Sequence, residues 1–267
     1  IYLVDTGSGN AHRAYPAKAS SAKSEFSCPG EVAPASFSPH GIATHTTPDG
    51  QTMLYVVNHG GRESVEIFDV VKGDVPSLRW KGCIVYPADT TGNGVSVTDD
   101  GTIYAARTKT LEGAGSEPDM SGDIIFWRSG EGWQTVPGSQ MMGPNGVVAS
   151  PDGEDIFANA WPSSTLVAVN QETGRRQDLT LPFMPDNIKW SDRATLLVTG
   201  HRAPIHDIIS CYISPRMSCD IPASFAEIDP DTLTILAVTD LESDFATTAV
   251  DVGETCWLGT ARGEIIT

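Results

Sequence analysis

Side-chain oxygens recur in this chain at matched places. Asn93-Gly94-Val95, Asn145-Gly146-Val147 and Asp186-Asn187-Ile188 each set an amide or carboxylate oxygen directly ahead of a short strand-like run. Amide and carboxylate oxygens without cysteine suit a hard cation of the calcium type, which takes 6–8 oxygens at 2.3–2.6 Å; zinc would want nitrogen or sulfur. A lone Asn-Gly is more simply a turn dipeptide. The same residue types at equivalent places in successive segments argue for a shared ion, with Asn93, Asn145, Asp186 and Asn187 as its candidate ligands. One carboxylate is little charge for a firm calcium site, so a further Glu or Asp ligand is expected from a copy of the motif lying before Ile1.

Histidines offer proton transfer beside such an ion. His59 ends the apolar run Val56-Val57-Asn58-His59, and His201 ends the corresponding run Val198-Thr199-Gly200-His201. A neutral imidazole near a metal can take a proton from water, which makes His59 a candidate general base with Asp186 as the alternative; a structural role at a strand end stays open. His40 opens the segment His40-Gly41-Ile42 and, with His201, is a candidate for the substrate pocket at the channel. The chain has no G-x-S-x-G elbow, no phosphate-binding Gly loop and no H-E-x-x-H.

These residues share one repeat. Openings at His40, Asn93, Asn145, Asp186 and Thr248 lie roughly fifty residues apart, the spacing of propeller blades of four strands each. Acidic turns follow at near-constant distance, in Pro48-Asp49-Gly50, Asp99-Asp100-Gly101, Pro151-Asp152-Gly153 and the degenerate Ser191-Asp192-Arg193. Strand pairs are read at residues 52–59 with 64–70, 103–107 with 123–128, 156–160 with 165–170, and 196–201 with 224–228. Helix is expected only as a few turns in loops. The expectation is an all-β, six-bladed β-propeller, one domain over residues 1–267, with four-stranded blades around a central channel and its N-terminal strands missing. Insertions at about 108–122 and 202–222 would cover one face, and residues 6–38 read as a long surface connection. Equivalent positions in each blade converge on one axis, where the opening residues would meet.

Lys plus Arg total 17 against 34 Asp plus Glu, a formal charge of −17 that repels phosphate backbones, so nucleic acid is not an expected partner. Hydrophobic content of 40% with 19% charged residues is globular. No apolar run approaches the ~20 residues that span a bilayer. Of the five cysteines, Cys211 and Cys219 bracket a short loop that could close as a disulfide, implying an oxidising compartment; buried free thiols are equally open, and Cys83 and Cys256 lie in strand-like text. A periplasmic or secreted location is favoured over a cytoplasmic one.

The strings Ser38-Pro39-His40-Gly41-Ile42, Val56-Val57-Asn58-His59, Glu63-Ser64-Val65-Glu66-Ile67-Phe68, Asn145-Gly146-Val147-Val148-Ala149-Ser150-Pro151-Asp152-Gly153 and Pro185-Asp186-Asn187-Ile188 together resemble the paraoxonase (arylesterase) branch of the regucalcin/gluconolactonase superfamily. The resemblance implies a six-bladed propeller holding one catalytic calcium in its channel, with lactone or aryl-ester hydrolysis as the activity. It places Asn93, Asn145, Asp186 and Asn187 among the calcium ligands, His59 as the base, and His201 in the substrate pocket. Gly94 stands where the family has an Asp for a second, structural calcium, which puts that ion in doubt. Arg79 stands where it has the second histidine of a proposed dyad. The alternative is a non-catalytic, metal-stabilised propeller that binds or recognises a ligand.

Overall fold

The computed structural model describes residues 1–17, 26, 28–109, 121–215 and 218–261, the side chains of 242–244 excepted. Twenty strands and one α-helix are assigned among them. A hairpin of β1 (Tyr2–Val4) and β2 (Ala11–Arg13) precedes four antiparallel four-stranded blades. The first contains β3 (Pro39–Thr46), β4 (Thr52–Asn58), β5 (Ser64–Val71) and β6 (Ser77–Val85). The second runs through β7 (Thr90–Val97), β8 (Ile103–Lys109), β9 (Gly122–Arg128) and β10 (Gly132–Thr135). Next come β11 (Pro144–Ala149), β12 (Asp155–Ala160), β13 (Thr165–Asn170) and β14 (Arg176–Thr180). The fourth comprises β15 (Met184–Trp190), β16 (Leu196–His201), β17 (Pro222–Asp229) and β18 (Thr234–Asp244). A two-stranded sheet of β19 (Ala246–Val252) and β20 (Thr255–Thr260) follows, and α1 (Ile205–Ile213) lies between β16 and β17.

The second strands are apolar on both faces because each blade is sandwiched between neighbours. Val56, Val57, Ala105 and Val198 have no exposed surface. The core is therefore divided among the blade interfaces. Tyr55, Val57, Val65 and Ile67 of the first blade meet Val95, Ile103, Ala105 and Ile125 of the second. Tyr104, Ile124 and Phe126 meet Val147, Ile156 and Val167 of the third; Val148, Phe157 and Leu166 meet Ile188, Leu196 and Val198 of the fourth. Burial of large apolar side chains at ~25 cal/mol per Å² makes each interface a principal source of stability. The acidic turns close β3–β4, β7–β8 and β11–β12. Hydroxyls of Thr47, Thr98 and Ser150 donate to Asp49, Asp100 and Asp152, and Gly50, Gly101 and Gly153 take φ of 83°, 82° and 75°, a region costly for any other residue.

Three expectations change. Six blades were expected and the described residues form four complete ones, with β19–β20 continuing the ring. Residues 6–38 are only partly a surface connection: β2 pairs with β1, and Ala14, Tyr15 and Val32 are buried, the first two against Leu54, Val56 and Phe68 of the first blade. Cys83 is not a free thiol but is bonded to Cys28, pinning this segment to β6. Cys211 and Cys219 form the second disulfide, while Cys256 is free. The insertion at 202–222 carries α1; most of that at 108–122 lies outside the described residues. No described helix is long and apolar enough to cross a membrane.

Candidate functional site

The five innermost strands, β3, β7, β11, β15 and β19, pack in that order around the axis. Each breaks its pairing with the second strand at its opening: between Pro39 and Ile42, Gly92 and Val95, Pro144 and Val147, Pro185 and Ile188, and Ala246 and Thr248. A bulge leaves the extra residues unpaired and re-aims their side chains. Those residues are His40-Gly41, Asn93-Gly94, Asn145-Gly146, Asp186-Asn187 and Thr247. The glycines are there for space. A Cβ on Gly41, Gly94 or Gly146 would come within 2.7 Å of the backbone oxygen of Asn93, Asn145 or Asp186 respectively. The small residue of each copy thus presses on the polar residue of the next, and His40, Asn93, Asn145 and Asp186 stand side by side in one ring. From β15, Lys189 Nζ donates to Ile42 O of β3 at 2.9 Å, and burial pushes this amine down to about 8.

Oxygens in this ring lack partners. Asn93 Oδ1 and Asn145 Oδ1 in the ring, and Thr248 Oγ1 just past the β19 bulge, are buried without a hydrogen bond among the described residues. Leaving such an acceptor unsatisfied costs about 1–3 kcal/mol each, a cost a bound cation would remove. Asp186 is 6% exposed. Burial raises its carboxyl to about 7, against a side-chain hydrogen bond from Asn145 that lowers it. Asn187 Nδ2 donates to Asp186 Oδ1 at 2.9 Å, and Asn159 Nδ2 to Asp186 O at 2.9 Å, so the acidic residue is held from two sides. Amide oxygens and one carboxylate fit a hard, oxygen-seeking cation. Among the described residues no three His, Cys, Asp or Glu side chains gather as a zinc-type centre would require.

Next to Asn93, a second network forms. His40 Nδ1 and His59 Nε2 are 2.8 Å apart, and His59 Nδ1 is 2.8 Å from Glu63 Oε1. The same Glu63 oxygen accepts the Gly92 N–H at 2.8 Å, which ties the histidines to the strand carrying Asn93. Asn58 builds the frame: its Oδ1 accepts Ser38 N–H at 2.9 Å and its Nδ2 donates to Gly60 O and Arg62 O, both at 2.9 Å. Desolvation, and then His59, lower the pKa of His40, while Glu63 raises it. Arg79, the residue aligned with a second histidine, instead pairs with Asp69 at 2.6 Å on β5 and β6; His40 occupies the place beside His59.

His201 lies on the Asp186 side of the ring. It is 1% exposed, its Nε2 lies 3.7 Å from Asp186 Oδ2, and Trp161 Nε1 donates to its Nδ1 at 3.5 Å. Phe245 packs on the ring at a centroid distance of 4.9 Å, and Tyr212 of α1 packs on Phe245. Burial pushes the imidazole down to about 4, so it is neutral at physiological pH. Sequence reasoning missed Glu63, Asn58, Lys189, Trp161 and the hydroxyl of Thr248. Glu63 carried a signal, four residues after His59 across a hairpin turn. Thr248 carried one as a repeat opening, though a lone hydroxyl suggests no ligand by type.

No protein-family model matches the sequence, and no curated protein matches it. Solved structures with the same architecture include a luciferin-regenerating enzyme, 11% identical, with 84% of this chain and 70% of that chain aligned at a TM-score of 0.54. A chain of a nidogen–laminin complex is 12% identical over 86% of this chain and 74% of its own, at a TM-score of 0.53. A gluconolactonase from Xanthomonas campestris is 15% identical over 82% of this chain and 68% of its own, at a TM-score of 0.51. At these identities the likeness establishes the fold, an all-β propeller.

Proposed function

We propose that the chain is a calcium-dependent hydrolase of lactones or esters, of the gluconolactonase-like superfamily and its paraoxonase-like branch, built on a six-bladed propeller. The observation that carries this reading is the pair of partnerless oxygens on Asn93 and Asn145 beside the buried carboxyl of Asp186 in one ring. The gluconolactonase among the similar structures supports the reaction class at the level of the fold, and β19–β20 supports a blade number above four as the start of a further blade.

Asn93, Asn145, Asp186 and Asn187 would hold the ion. When bound, calcium supplies a Lewis acid for the substrate carbonyl and charge to balance the oxyanion. The chain's own groups do the rest. Asp186 and the amides fix the donor set, Trp161 and Phe245 keep His201 neutral so that it adds no competing positive charge, and the proton of the attacking water goes to the His40–His59–Glu63 network, through His59, or alternatively to Asp186. Two disulfides suit an oxidising compartment, in keeping with a periplasmic or secreted location.

The rival reading, a non-catalytic binding module, draws support from the nidogen–laminin complex, since the same fold occurs in a protein–protein assembly. Turnover separates the two. Hydrolysis of aliphatic lactones, sugar lactones and aryl esters is measured in calcium, after chelation, and after calcium is returned. The expected result is loss on chelation and recovery on addition. Activity that survives complete removal of calcium ends the metal mechanism, and no turnover on any of the three classes favours the binding module.

A further inference from the structure

Resting on the hydrolase reading, we propose that His40, not His59, is the general base, and that Glu63 and His59 are positioning residues that fix its tautomer. The argument is one of donors and acceptors. A carboxylate oxygen only accepts, so the 2.8 Å contact between Glu63 Oε1 and His59 Nδ1 places the proton on His59 Nδ1. In a neutral imidazole the other nitrogen then has only a lone pair. His59 Nε2 must accept from His40 Nδ1, 2.8 Å away, so His40 in turn keeps its lone pair on Nε2. Both nitrogens of His59 are engaged. His40 Nε2 has no partner among the described residues, and His40 is the ring member next to Asn93, because Gly41 abuts the Asn93 carbonyl. His40 is an exposed residue with a partly desolvated ring, so a substrate or water can reach it.

Glu63 has a second task. Its Oε1 also accepts the Gly92 N–H, so one oxygen sets both the direction of the relay and the start of the bulge that aims Asn93. In the reaction, a water O–H bond breaks, its oxygen bonds to the carbonyl carbon and its proton goes to His40 Nε2. The C=O π pair moves onto the oxygen, giving a tetrahedral oxyanion. That pair returns, the acyl carbon–oxygen bond breaks, and the leaving alkoxide takes the proton back from His40. The product is the hydroxy acid, or an acid and an alcohol from an open-chain ester. While charged, His40 keeps its Nδ1–H directed at His59, whose own Nδ1–H is held by the carboxylate of Glu63.

Two measurements on the whole chain with calcium test this. Nitrogen-15 NMR of the histidine rings reads the tautomers without any substrate; His40 and His59 are both expected as Nδ1–H, and Glu63→Gln is expected to disturb both. In lactone hydrolysis His40→Ala is expected to lose kcat on the order of 10²–10⁴-fold, with KM and calcium affinity unchanged and part of the rate restored by added imidazole. His40→Gln serves as a second variant that keeps polarity and bulk, and is expected to show the same loss. His40→Ala within twofold of wild-type kcat, or His40 found as the Nε2–H tautomer, overturns the assignment. If the wild-type protein hydrolyses nothing, the hydrolase reading and the base fall together; if it turns over and the tautomers are as stated while His40→Ala stays active, the base assignment alone falls.

Discussion

His59 and His201 end equivalent second strands, in blades one and four, yet the structure gives them opposite lives. His59 sits at a hairpin turn, 31% exposed in its side chain, with both nitrogens engaged by His40 and Glu63. His201 is 1% exposed, boxed in by Trp161 and Phe245, with Nε2 too far from Asp186 for a hydrogen bond. Strand position alone therefore says little about what a histidine does; the turn that follows decides. After β4 the turn is five residues long and returns Glu63 to the ring, whereas after β16 the chain departs into α1 and a disulfide-closed loop that roofs the imidazole.

The largest effect expected of breaking this contrast is on folding. His201→Ala removes a ring packed on Phe245 and Trp161, leaving a cavity worth about 3 kcal/mol of stability by analogy with large-to-small core changes. His59→Ala, half-exposed, is expected to cost about 1 kcal/mol or less while cutting turnover. Chemical denaturation of both variants beside the lactone assay is the measurement. Equal destabilisation by the two would erase the distinction between a roofed and an open histidine.

A smaller effect follows from the roof. Cys211 and Cys219 close an eight-residue separation, and a loop this short contributes about 2–3 kcal/mol in the chain-entropy model. Replacing both with Ser is expected to lower the midpoint of unfolding by that order and to increase hydrogen exchange in α1 and around Phe245. Exchange at the His59–Glu63 turn is expected to stay as it was, since Asn58 holds that turn independently. Spread of the change to the turn would show that the two regions are not separate after all.

Much of this arrangement was legible in the residues. The openings at His40, Asn93, Asn145, Asp186 and Thr248 were readable because a bulge pressed against its neighbour tolerates few residue types, Gly above all at 41, 94 and 146. The apolar second strands were readable because both of their faces are buried. The outermost strands β6, β10, β14 and β18 were not, since their half-exposed sequences, such as Arg176–Thr180, resemble loops. The Cys28–Cys83 bond spans 55 residues and leaves no local trace. Glu63 was hidden for a different reason: its carboxylate acts through His59 and Gly92, and only coordinates reveal that both bonds end on one oxygen.

The smallest expected effect sharpens the same comparison through pH. Burial and the His59 ring both lower the pKa of His40, and the charge of Glu63 opposes them. His40 is therefore in its basic form at neutral pH, and its protonation, which removes the base, falls below the ordinary histidine value of about 6.5. The acid limb of kcat/KM is expected there. In Glu63→Gln the opposing charge is gone, so the limb moves to still lower pH even as the plateau drops about tenfold through loss of orientation. Removing His59 has the reverse sign for its own contribution, moving the limb upward. A pH profile of wild type and the two variants checks both signs, and a limb that ignores Glu63 would place the titrating base outside the His40–His59–Glu63 chain.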